Sequence, residues 1–89
     1  MATYWSDMYD QKTCLYRFFA ADGRLLYVGI SMNFRARLDK HRRRTWWPEV
    51  ADQSLEWFPD RESAQRAERR AIHDENPAYN LVRPRMECC

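Results

Sequence analysis

The stretch Cys14-Leu15-Tyr16-Arg17-Phe18-Phe19-Ala20-Ala21-Asp22-Gly23-Arg24-Leu25-Leu26-Tyr27-Val28-Gly29-Ile30 decides the fold. Two apolar, aromatic-rich runs flank an Asp22-Gly23 pair, and Asp-Gly between such runs is a strong hairpin signal. A two-residue loop there pairs residue i with residue 45 − i, which sets Tyr16 opposite Gly29. Tyr27 then lies diagonally beside Tyr16 on the same face, so two phenols share one surface with a residue that has no side chain. Gly29 permits a close approach to the strand that any larger residue would cover.

Outward from the hairpin, Ser31 can cap a helix over about residues 32–44, with Phe34 and Leu38 as its inward stripe. Arg37 and His41 stand four apart and project from one side of that helix together. Trp46-Trp47-Pro48 stops it, because the residue before proline resists helical geometry. Ser54–Phe58 reads as a third strand ended by Pro59. Asp60 caps a second helix over about residues 61–74, and Asn76-Pro77 ends that one. The order β-β-α-β-α predicts an α+β domain, a small three-stranded antiparallel sheet flanked by helices. Trp57 alternates with Leu55 and is expected in the core; Trp46 and Trp47 are expected to cap the sheet, with stacking on nucleic-acid bases as the alternative.

Eighty-nine residues, 45% apolar, suffice for one modest core. With 31% charged residues and no apolar run near the roughly 18 needed to cross a bilayer, a membrane protein is excluded. The first residues lack the basic start and apolar stretch of a secretory signal. Three cysteines, two of them adjacent as Cys88 and Cys89, make no disulfide framework, so the cytoplasm is the expected compartment. A zinc site from Cys14, His73 and the tail lacks paired ligand spacing.

The formal net charge of +2 conceals a local block: residues 32–47 hold Arg35, Arg37, Lys40, Arg42, Arg43 and Arg44 against Asp39 alone, a net +5. Arginine favours planar phosphate recognition, so this block points to a polyanion, with a solvated helix face as the plainer reading. The second helix contains an odd residue. Glu68 falls among Ala64, Ala67, Ala71 and Ile72, and a carboxylate on a core-facing stripe is costly unless paired, hydrogen-bonded or bound to metal. A salt bridge with Arg37 is its structural alternative. Asn80, after Pro77-Ala78-Tyr79, is equally a natural turn residue.

Cys14-Leu15-Tyr16, Tyr27-Val28-Gly29, Arg37, His41, Glu68 and Asn80 together resemble a GIY-YIG nuclease domain over about residues 14–82. The ten residues between Tyr16 and Tyr27, and the offsets to Arg37 and His41, fit that family's spacing. Cys14 stands where the first motif usually has glycine, and Leu15 and Val28 are aliphatic swaps. The resemblance implies a stand-alone domain at 14–82, with an N-terminal arm or short helix at 1–13 and a tail at 83–89. It implies a metal-dependent endonuclease that hydrolyses DNA phosphodiester bonds, one strand per active site. Tyr16, Tyr27, Arg37, His41, Glu68 and Asn80 would form its catalytic set, Glu68 the ligand to Mg²⁺ or Mn²⁺, and Gly29 the point of backbone approach. Arg35, Lys40, Arg42, Arg43 and Arg44 would bind nucleic acid.

A phenol with a pKa of roughly 10 must be acidified by metal or by Arg37 to serve as base, and either tyrosine can hold that role. Double-strand cutting would call for a homodimer, a partner protein that supplies specificity, or two sequential events. A bacterial or phage-encoded setting is the expected one. The alternative is a non-catalytic nucleic-acid-binding or protein-interaction module on the same fold.

Overall fold

A computed structural model describes residues 12–80. The segments at 1–11 and 81–89 lie outside the described residues, and with them the expected N-terminal arm, the tail, Cys88 and Cys89. Strand β1 (Thr13–Phe19) is central, hydrogen-bonded to β2 (Leu25–Ser31) on one side and to β3 (Asp52–Phe58) on the other, all antiparallel. Helix α1 (Phe34–His41) follows β2, a short 3₁₀ turn spans Trp47–Glu49, and helix α2 (Arg61–Glu75) follows β3. The chain is thus an α+β domain in the order β-β-α-β-α. Among the described residues no helix is long and apolar enough to cross a membrane.

Tyr16 pairs with Gly29 as expected, but by a different route. The loop holds three residues, Ala21-Asp22-Gly23, closed by a bond from Ala20 N–H to the Arg24 carbonyl (2.9 Å), with Gly23 at φ 90°. A left-handed glycine ending a turn is the G1-bulge arrangement, which strands of normal twist accept readily. The register then shifts between Phe18 and Phe19, so that Phe18 meets Tyr27 while Phe19 meets Leu25. An irregularity in β2 thereby restores the spacing that a two-residue loop would have produced.

Period-2 alternation divides the sheet into two faces. Leu15, Val28 and Ile30 face α2, packing with its Ala64, Ala67, Ala71 and Ile72. Small alanines let the helix sit close to the sheet. Arg17 emerges on this side too, and its guanidinium clasps Glu75 at 2.9 and 2.8 Å, tying the central strand to the last turn of α2. On the other face Cys14, Tyr16, Phe18, Leu26 and Trp46 form a second cluster, joined by Tyr27, Phe34, Leu38, Trp47 and Tyr79.

Two boundaries differ from expectation. Ser31 is the last rung of β2, so Asn33 caps α1 instead, its Oδ1 accepting the Ala36 N–H at 3.2 Å. Ser31 Oγ accepts the Asn33 N–H and supports that cap (2.9 Å). The helix ends at His41 rather than at Arg44. Trp46 is buried against the sheet, and the chain turns inward through Arg42–Thr45 to put it there. The second helix follows expectation: Asp60 accepts the Ser63 N–H at 2.7 Å, and Asn76 at φ 52° with Pro77 after it stops the coil.

The expectation for Trp57 is overturned. Trp57 is 55% exposed and Leu55 42% exposed. They share a sheet face with Tyr16 and Cys14, but the described cluster on that face does not extend over β3.

Candidate active site

The site is built around Tyr16, which β1 holds almost wholly buried at the sheet centre. Its Oη lies 2.8 Å from Nε2 of His41, the last residue of α1 and likewise buried. Gly29 stands opposite Tyr16, and the phenol lies across it: a Cβ there would fall 2.5 Å from Cζ of Tyr16. The glycine therefore makes room for the phenol itself. Tyr27 stacks on Tyr16 at a centroid distance of 6.3 Å and lies 4.8 Å from the His41 ring. Trp46 continues the stack, 5.4 Å from Tyr27 on one side and 5.4 Å from Tyr79 on the other.

Two ionic groups converge on the phenol. The Arg37 guanidinium favours ionisation of Tyr16, whereas Glu68 opposes it. Arg37 is exposed and Glu68 partly buried, so the cation meets solvent while the carboxylate is lodged at the edge of the alanine stripe. Burial, then the charge of Tyr27, push Tyr16 well above the ordinary phenol range, and Arg37 offsets only part of this. His41 moves the other way. Burial, then Arg44 and Arg37, hold its imidazole down to about 4, so it is neutral at pH 7. Its Nδ1 is buried with no hydrogen-bond partner among the described residues.

Asn80 reaches the site through the backbone. Its Oδ1 accepts the Val28 N–H (2.8 Å) and its Nδ2 donates to the Val28 carbonyl (2.9 Å). The side-chain amide thus acts as a one-residue strand on the outer edge of β2, holding the residue between Tyr27 and Gly29. Backbone bonds from Ala78 N–H to the Leu25 carbonyl and from Tyr79 N–H to the Leu26 carbonyl extend this closure. Arg35, Lys40, Arg42, Arg43 and Arg44 are all exposed on α1 or in the turn after it. Among the described residues there is no cluster of three or more His, Cys, Asp or Glu around which a metal ion would be caged. Glu68 offers one carboxylate, partly buried on the helix that carries the alanine stripe, and a single protein carboxylate suits an ion held mainly by water, as Mg²⁺ commonly is.

The family model for the GIY-YIG catalytic domain matches residues 12–80. The chain belongs to the GIY-YIG family. Members of the GIY-YIG family are endonucleases that act on DNA and generally depend on a divalent metal. No curated protein and no solved structure matches the chain. The Tyr16 and Tyr27 motifs of this GIY-YIG domain meet face to face across the hairpin, and Gly29 is the contact point between them.

Trp46 belongs to the ring stack beside His41 (5.7 Å), a place in the site that the expectation of a sheet cap does not specify. The Trp46-Trp47-Pro48 run just past a basic helix is the available signal.

Proposed function

We propose that the protein is a metal-dependent endonuclease that hydrolyses DNA phosphodiester bonds, one strand per active site. The observation that carries this reading is the buried Tyr16–His41 hydrogen bond with the charges of Arg37 and Glu68 brought to the same phenol.

In this reading Glu68 would be the protein carboxylate that holds Mg²⁺ or Mn²⁺. Such a cation would supply charge stabilisation to the phosphate. Arg37, exposed and with its charge felt at Tyr16, braces the same phosphate. Tyr16 is the general base. It accepts the proton of the attacking water at Oη while its own proton passes to Nε2 of His41, 2.8 Å away. A bond forms between the water oxygen and phosphorus, the bond to one sugar oxygen breaks, and that oxygen takes a proton from solvent.

The relay needs a neutral His41, and burial keeps it neutral. Arg44 and Arg37 also hold its affinity for a proton down. Phosphates that neutralise those arginines raise that affinity, so the substrate itself readies the acceptor. Tyr27 orients the water or the phosphate from the adjacent ring position. Asn80 is a positioning residue that fixes the backbone at Val28 and so the approach at Gly29. Arg35, Lys40, Arg42, Arg43 and Arg44 bind the DNA backbone. Cutting both strands requires a second copy, a partner protein or a second event. The cytoplasm of a bacterium, or of one that a phage has entered, is the setting we assign.

Incubation with supercoiled plasmid, with and without Mg²⁺ or Mn²⁺, tests the reading. Metal-dependent nicking is expected from the wild type, and Glu68→Ala should bind DNA but not nick it. Binding that survives a chelator, with no nicking of any DNA form, would instead establish a non-catalytic binding module.

A further inference from the structure

Strand β3 places two large apolar side chains in the open beside the site: Leu55, 42% exposed, and Trp57, 55% exposed. Leu55 pairs directly with Tyr16, and Trp57 with Cys14, so both lie on the sheet face that carries the phenol. Opposed Cβ atoms stand about 5 Å apart, and the next same-face rung is about 7 Å along the strand. Because the phenol lies over Gly29 of β2, the indole stands across β1 from its Oη, about two strand spacings or roughly 10 Å away, a span that one or two nucleotides bridge.

The charges on this face agree with a nucleic-acid occupant. Gln53, Leu55 and Trp57 alternate on it, so β3 contributes no carboxylate there. The acids of β3, Asp52 and Glu56, fall on the opposite face, where Glu56 lies 3.7 Å from Arg17. Arg37 is exposed on α1, the helix that packs against β2, and its charge is felt at Tyr16. A polyanion with flat bases suits a face that carries the cationic helix over β2 and open apolar side chains on β3.

We propose that Trp57, with Leu55 beside it, is a stacking platform for an unpaired base one or two nucleotides from the scissile phosphate, and that the preferred substrate is DNA with single-stranded character. Bases inside a continuous duplex are already stacked on their neighbours, so only an unpaired one offers its face to the indole at little cost. The position of the scissile phosphate rests on the nuclease reading; the binding preference does not.

Fluorescence anisotropy with a labelled oligothymidylate and a blunt duplex, using the full chain carrying Glu68→Gln, tests the proposal. Adding Trp57→Ala should weaken oligothymidylate binding ~10-fold or more and duplex binding less than about 2-fold, while Trp57→Phe retains most of the affinity. Equal losses on both probes, or no loss on either, would overturn it. So would a Trp57→Ala variant that turns a dimer into a monomer by sedimentation velocity, which would assign this face to a protein contact. If the wild type nicks nothing but the Trp57-dependent preference persists, the nuclease reading fails and this one stands. Equal cleavage of duplex and single strands, unaffected by Trp57→Ala, gives the reverse.

Discussion

The Oη of Tyr16 and the Nε2 of His41 lie 2.8 Å apart, joining the middle of the central strand to the last residue of α1. Both side chains are buried, so this bond has no water to replace either partner. His41→Ala should leave the phenol unpaired and open a cavity, costing about 3 kcal/mol in urea denaturation. His41→Gln, which can still accept from the phenol, should recover part of that stability and little of the nicking activity.

Stability should also follow pH through the same residue. His41 titrates near 4 in the folded chain and near 6.5 when unfolded. Between those values the unfolded state binds more protons, so folding stability rises with pH. The contribution is complete above about pH 6.5, falls as pH drops towards 4, and amounts to about 3 kcal/mol. Urea midpoints across this window should show the slope in the wild type and a shallower one in His41→Gln.

Gly29→Ala tests the close approach. The added methyl would overlap the end of the Tyr16 ring, which burial and the His41 bond keep from retreating. Overpacking of this kind costs about 1 to 3 kcal/mol. Activity should fall further than stability accounts for, because the phenol is displaced from its partner; nicking rates measured well below the melting temperature separate the two effects.

Asn80→Ala removes both partners of the Val28 backbone. Leaving a buried donor and acceptor unsatisfied costs roughly 2 to 4 kcal/mol. The Val28 amide should lose most of its protection in hydrogen exchange, and the loss should centre on β2 rather than on β3.

The arginines of the turn after α1 should act through phosphates. Replacing Arg42, Arg43 or Arg44 by alanine should lower the slope of log K against log salt by about 0.9 for each phosphate that is no longer neutralised. Glu68→Ala should leave that slope unchanged, since a carboxylate neutralises no phosphate. A slope indifferent to all three arginines would mean that this block is a solvated surface.

Much of this arrangement is legible in the sequence because it follows from short-range rules. A hairpin through Asp22-Gly23 and period-2 alternation set Tyr16 opposite Gly29 and beside Tyr27. The three-residue loop and the compensating shift in β2 that keep this register are not legible in the sequence. Glu68 is conspicuous because an acid among alanines needs a reason, and its charge is felt at Tyr16. The cap of α1 is harder to read, because Ser31 and Asn33 are both good caps; pairing of Ser31 with Cys14 leaves the role to Asn33.

Trp57 shows where local rules stop. Alternation states which residues share a face, and Trp57 does share one with Tyr16. Whether that face is covered depends on where the intervening chain packs. The aromatic cluster with Trp46 assembles over β1 and β2, leaving Leu55 and Trp57 open.

By itself the chain's order of residues determined the strands, the helices and the pairing that sets two phenols around a glycine, since backbone sterics and side-chain alternation act over a few positions. Only the tertiary structure decided that His41 turns inward to Tyr16 while Arg37 stays in solvent, that Asn80 clasps Val28, and that Trp57 faces outward. Those outcomes depend on burial and on partners 25 to 52 residues away along the chain, distances over which no local preference operates.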